Sequence, residues 1–247
     1  MNVPGMKLDP TTPDIPNHDF ILMNTKNFAS SDVKKFADVL FVVTAPWKFN
    51  NIFKKIKIIA SNLSVVKEGK KAKINLTNPA EIPYFSTVPY RFGDETKAVK
   101  YRVKPSASNK LISPVNPEQK DKDMLRHNLA ATLKEHELTF EFSVQFQTDA
   151  VKMPIEDPTV IWDSEFVPLA TIRIPTQIMD TEARQTFGDN LSFSSWHCLA
   201  EHRPLGGFNR VRQMVYEEMY EFRHKHNGLV DKEPYPGDNF FGDTIIK

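Results

Sequence analysis

The sequence predicts an α+β chain in which antiparallel strands with inserted helices are followed by a helical tail. Three observations carry this. Over ten positions, Leu138 to Gln147, large apolar residues alternate with polar ones without a break, the period of a strand with one dry face. Val88 to Phe92 and Ala98 to Lys104 flank a Gly93-Asp94 turn signal, which reads as a hairpin. After Pro175 no strand pattern returns, and nowhere do strands and helices alternate regularly enough for a parallel wound sheet.

The remaining elements follow from local pattern. Residues 1–18 carry Pro4, Pro10, Pro13 and Pro16 and read as a loop. His18 to Asn24 is a short apolar run expected to be a strand. Ser30, Ser31 and Asp32 are N-cap candidates for a helix with Val33, Phe36, Ala37, Leu40 and Phe41 at near-3.6 spacing, ended by Pro46. A second helix, about Trp47 to Val66, sets Phe49, Ile52, Phe53, Ile56, Ile59, Leu63 and Val66 on one face among several lysines. Such a basic amphipathic helix either docks on an anionic membrane or, as most do, packs its apolar face on its own protein with lysines in water. Glu118 to Glu137 reads as a helix with Leu125, Leu129 and Leu133 aligned. In the alternating strand, Leu138, Phe140, Phe142, Val144 and Phe146 are expected inside and the glutamines outside. A last strand is expected near Val167 to Ile174.

Composition narrows the function classes. The 247 residues, 40% of them apolar, suffice for one sizeable core. A net charge of +1 gives no global reason to expect nucleic acid. The single cysteine, Cys198, excludes an internal disulfide and any Cys-rich metal cluster. No apolar run reaches the ~18 residues of a transmembrane segment, and the proline-rich start has no leader pattern. The compartment stays open, with the cytoplasm as the default.

Two segments concentrate chemistry. Trp196 to Gly207 crowds His197, Cys198, Glu201, His202 and Arg203 before Pro204 and Gly206-Gly207. Adjacent His197 and Cys198 lack the usual spacing of zinc ligands, so the histidines read as loop-stabilising hydrogen bonders. From Asn209, an acceptable N-cap, to His226 a helix sets Val211, Val215, Met219 and Phe222 on one stripe and Arg212, Tyr216, Tyr220 and Arg223 on the next. Arg212 and Tyr216 are four apart and can meet across one turn. A cation beside a phenol favours the phenolate, a hard ligand suited to ferric iron. Spacing by itself does not separate that reading from an ordinary helix with half-buried aromatics.

The stretch from Asn190-Leu191-Ser192-Phe193 through Trp196-His197-Cys198 to Glu201-His202-Arg203-Pro204-Leu205-Gly206-Gly207-Phe208-Asn209-Arg210 resembles the signature of catalase-like haem proteins, a group of small catalases and hydroperoxide-converting relatives. Thr87 to Arg91 with Ala98 to Tyr101, Phe146 to Asp149 and Met153 to Val160 are similar to the same family, so the likeness spans roughly residues 18–228. It implies a catalase-type antiparallel β-barrel with inserted helices over 1–175, and over 176–247 a wrapping loop and the helix bearing the proximal haem ligand. It also implies haem b, with Tyr216 ligating ferric iron through an Arg-x-x-x-Tyr match to Arg212–Tyr216, and Arg223 reaching a propionate.

On the distal side the resemblance offers Asn24 as the peroxide-orienting asparagine, with Met23 where the family has a second one, and Phe28 as the aromatic against the porphyrin. The family's Arg-x-x-His segment is not found. Of seven histidines only His18 stands upstream of residue 127, amid residues similar to a later strand. The implied chain is therefore a member without its first barrel strands, and apolar surface around Phe20 and Leu22 is expected to lie uncovered. The implied partner is hydrogen peroxide or a lipid hydroperoxide, with a homo-oligomer compatible. Three roles are implied: peroxide breakdown, rearrangement of a fatty-acid hydroperoxide in the manner of an isomerase or lyase, and haem binding without turnover.

Overall fold

The structure, a computed structural model, describes residues 18–46, 49–61 and 74–228. Its centre is an antiparallel sheet of five strands: β1 (Tyr84–Phe85), β2 (Tyr90–Phe92), β3 (Asp94–Pro105), β4 (Leu138–Phe146) and β5 (Phe166–Ile174). The order is β1-β3-β4-β5, with β2 also paired to β3 beyond β1. The described residues also form five α-helices: α1 (Val33–Thr44), α2 (Phe49–Ser61), α3 (Met124–Glu135), α4 (Glu182–Asn190) and α5 (Gly206–Asn227).

The mixed architecture is as expected, but the partial barrel expected over 1–175 is not seen. β5 pairs only with β4 among the described residues, and the sheet stays open. Five strands, one of them two residues long, are too few to close around a filled interior, which takes about eight. The middle of β5 is correspondingly exposed, Val167 and Ile172 included. His18 to Asn24 likewise forms no strand; its one ladder contact is the bridge of Met23 to Phe85. Of the two residues expected on an uncovered apolar surface, Leu22 is half-buried against the core. Phe20, whose ring packs edge-on against Tyr101 and Phe142, is 40% exposed.

Val99, Tyr101 and Val103 of β3 lie opposite Phe146, Val144 and Phe142 of β4. On this face they build a core with Phe28, Val88, Tyr90 and Phe208. Leu138 and Phe140 continue it into a second cluster with Ala80 and Leu133. The inward set of β4 is thus as its alternation predicts. Its opposite face is not. Ser143 and Gln145 are buried too, because the loop between β4 and β5 crosses that face and Gln145 Nε2 donates to the carbonyls of Trp162 (3.0 Å) and Ser164 (2.6 Å).

The same loop buries Lys100, expected in water. Its Nζ lies 4.8 Å from the Trp162 ring centroid and 3.3 Å from the Val160 carbonyl. Burial pushes the ammonium down to about 8, with Asp157 opposing the shift. Below that pH the fold must bury a charge that the unfolded chain leaves in water. Above it, up to the ordinary lysine range, the unfolded chain binds the extra proton and stability climbs with pH. Lys100→Met should flatten that climb, which urea unfolding midpoints at about pH 7 and about pH 10 measure.

Among the helices, Asp32 is the cap of α1, its carboxylate accepting from Lys35 N at 2.9 Å. α3 starts at Met124, six residues later than its pattern predicts. Asn128 and Thr132 turn inward to bond Asn78 and the 112–115 segment. α4 was not legible as a helix; Thr181 caps it. α5 begins at Gly206, three residues before the expected cap. Asn209 lies inside it, bonding the carbonyls of Pro89 (3.0 Å) and Leu205 (2.9 Å).

Candidate functional site

The segment before α5 is fixed from two sides. Arg91 N and Gly93 N donate to the carbonyls of Arg203 and Glu201, both at 2.9 Å, and Leu205 N donates to Pro89 O at 3.0 Å, so 201–205 runs alongside β2. Farther up, the Asp19 carboxylate accepts from His197 Nδ1 at 2.8 Å and from Ser194 N at 3.1 Å, and Asp19 N donates to His197 O. The side-chain partner of His197 is thus a carboxylate rather than the loop backbone expected. His202 Nδ1 lies 3.5 Å from the Tyr101 hydroxyl. No group of three or more His, Cys, Asp or Glu among the described residues could hold a metal ion.

Gly206 turns the chain into α5 at φ +83°, and a Cβ there would lie 2.9 Å from the Ile155 carbonyl oxygen. Gly206→Ala combines a left-handed backbone with a clash and should cost roughly 2–4 kcal/mol. Gly228→Ala is the control: φ is +64° with nothing within 4 Å, so it should cost about 1 kcal/mol. Denaturant midpoints of the two variants measure the difference.

The roll of α5 differs from a simple amphipathic reading. The stripe of Arg212, Tyr216, Tyr220 and Arg223 is half-buried against the protein, while Val215, Met219 and Phe222 are 47%, 48% and 62% exposed. The reason is Tyr90 of β2, which is 1% exposed and meets this helix. Burial pushes the Tyr90 phenol up to about 12; Arg212 opposes the shift, and Tyr216 and Cys198 add to it. Three elements thus converge here: β2 with Tyr90, the loop with Cys198, and α5 with Arg212 and Tyr216. Tyr90 Oη and Arg212 Nη1 are both buried, and the guanidinium is the polar group nearest in effect to the phenol, although no bond of good geometry joins the two atoms. Tyr90 stood inside a recognisable segment but was not singled out. No local signal marks it, since Arg91 and Phe92 beside it make an ordinary strand pattern.

The other expected site residues are placed less directly. Phe28 is in the core, its ring centroid 4.9 Å from Phe36 and 4.7 Å from Phe208, one turn before Arg212. Asn24 is half-buried just after the Met23 bridge. Arg223 Nη2 donates to Leu191 O at 2.7 Å and Nη1 to Asp189 O at 3.4 Å, capping the C-terminal end of α4. Two cavities, of about 420 Å³ beside Lys100 and Trp162 and of about 680 Å³ beside Lys104 and Leu169, are lined by neither Arg212 nor Tyr216. The α5 site is a surface face rather than one of these cavities.

The open sheet, the loop laid along β2 and the tyrosine-bearing helix define a catalase-like fold. Solved catalases superpose on it: a bacterial catalase (TM-score 0.64, 13% identity, covering 84% of this chain and 44% of that one), a fungal catalase (0.66, 14%, 93% and 53%) and catalase A from Saccharomyces cerevisiae (0.64, 14%, 93% and 54%). The chain spans about half the length of these proteins. No protein-family model and no curated protein sequence matches it.

On α5 the residues that could hold an iron-bearing ligand are Tyr216, whose phenol is a hard donor, and Arg212 one turn before it, while Val215 and Met219 lie on the other, exposed stripe. Phe28 and Arg223 fit less directly, since both are engaged within the protein.

Proposed function

We propose that this chain is a haem-binding protein of peroxide metabolism in which Tyr216 is the axial ligand. The observation that supports it most is the convergence of Tyr216 and Arg212 on buried Tyr90, on a catalase-like fold. Ferric haem, when bound, supplies peroxide O–O cleavage. The chain's own residues do the rest. Tyr216 holds the iron, and Arg212 places a positive charge one turn away. Tyr90, protonated at neutral pH, is a neutral hydrogen-bond donor at the same place. Phe28 and Asn24 are the proposed wall and distal polar group. Arg223 is the proposed propionate contact, in competition with the carbonyls of Leu191 and Asp189.

An amide such as Asn24 can orient a peroxide but does not carry its proton. A group that carries the proton is worth roughly 10²–10⁴ in rate. The substrate class is hydrogen peroxide or a lipid hydroperoxide. Ferric haem is titrated into the chain, and both peroxides are offered to the product. Stoichiometric binding with slow oxygen release, or with rearranged lipid products, supports the reading and assigns the substrate. Failure to bind haem overturns it.

A further inference from the structure

α2 divides its apolar residues between two sides: Ile58 is buried and Ile52 and Ile59 half-buried, while Phe53 and Ile56 are exposed. Lys55, in the middle of the helix, is fully buried, and its Nζ donates to the Val42 carbonyl at 2.8 Å and to that of Ala45, at the end of α1. This cap satisfies carbonyls that a helix end leaves open. It also fixes the roll of α2. Two positions before Lys55 and one after it, Phe53 is 72% and Ile56 55% exposed, with Lys54 and Lys57 beside them in solvent. The ordinary arrangement, apolar face inward and lysines in water, is thereby reversed at its centre.

The charge of this stretch of sequence is one-sided. Between residues 48 and 73 the sequence has eight lysines and one glutamate, in a chain whose net charge is only +1. Exposed large apolar side chains between lysines, on a helix of 13 residues, match the interfacial region of an anionic bilayer. No described helix is long and apolar enough to cross a membrane, so the association is with the surface.

We propose that α2 docks this protein on anionic lipid surfaces, with Phe53 and Ile56 entering the headgroup boundary and Lys54 and Lys57 meeting lipid phosphates. The full chain is sedimented with vesicles of phosphatidylcholine containing phosphatidylserine, and with pure phosphatidylcholine vesicles. It should partition to the first and hardly to the second. Each lysine near such a surface is worth about fivefold, so Lys54→Glu with Lys57→Glu should lower partitioning by about 30-fold or more. Phe53→Ser with Ile56→Ser should lower it by at least about tenfold. All four side chains are exposed, and unchanged circular dichroism confirms that the variants are folded.

Absence of vesicle binding overturns the proposal, as does binding indifferent to either pair of substitutions or to lipid charge. So does binding of an oligonucleotide that the lysine changes abolish and the apolar changes leave intact, or self-association that the apolar changes abolish without vesicle binding.

Discussion

Tyr216→Phe should abolish the phenolate-to-iron spectrum of the chain reconstituted with ferric haem, whereas Tyr220→Phe should leave it unchanged. The substitution keeps the ring, and so the packing of α5 against β2, while deleting the one oxygen proposed to bind the metal. The loss in haem affinity should exceed the roughly 10–100-fold that losing a supporting partner of a metal ligand costs. Tyr220 is the appropriate control. It lies one turn on in the same half-buried stripe, but its ring packs 4.0 Å from His224, toward the end of the helix. If the two variants exchange outcomes, the axial ligand is Tyr220.

The second large effect concerns stability. Asp19→Ala should destabilise the fold by about 3 kcal/mol or more, because it takes a buried carboxylate from both His197 Nδ1 and the Ser194 amide. Asp19 is 10% and His197 5% exposed at the side chain, so water does not readily replace the lost acceptor. Asp19→Asn retains an acceptor oxygen and should recover part of the loss. Denaturant titration of the three proteins decides this. A change within about 0.5 kcal/mol for the alanine variant would mean that the loop is held by its contacts to β2 alone.

Much of the sheet was legible because its signals are local. Period-two alternation marked β4 and its inward face, Gly93-Asp94 marked the β2–β3 turn, and Asp32 was recognisable as a cap. What escaped the sequence depends on what crosses over each element. Gln145 and Lys100 look like wet-face residues until the loop through Trp162 covers them. The roll of α5 escaped because Tyr90, 122 positions before Arg212, draws the polar-aromatic stripe inward. α2 escaped for a similar reason, since the end of α1 claims Lys55 and leaves Phe53 outside. In the candidate site, Arg212 and Tyr216 are singled out by the resemblance to the family motif, which their four-residue spacing permits but does not establish. Tyr90 is not, since nothing in its neighbours tells that a guanidinium will lie beside it.

The most direct test is the electronic spectrum of the unmodified chain after addition of one equivalent of ferric haem. The account predicts a high-spin ferric spectrum with phenolate ligation, lost on Tyr216→Phe. A low-spin spectrum with histidine as the axial ligand, or one indistinguishable from free haem, would contradict it.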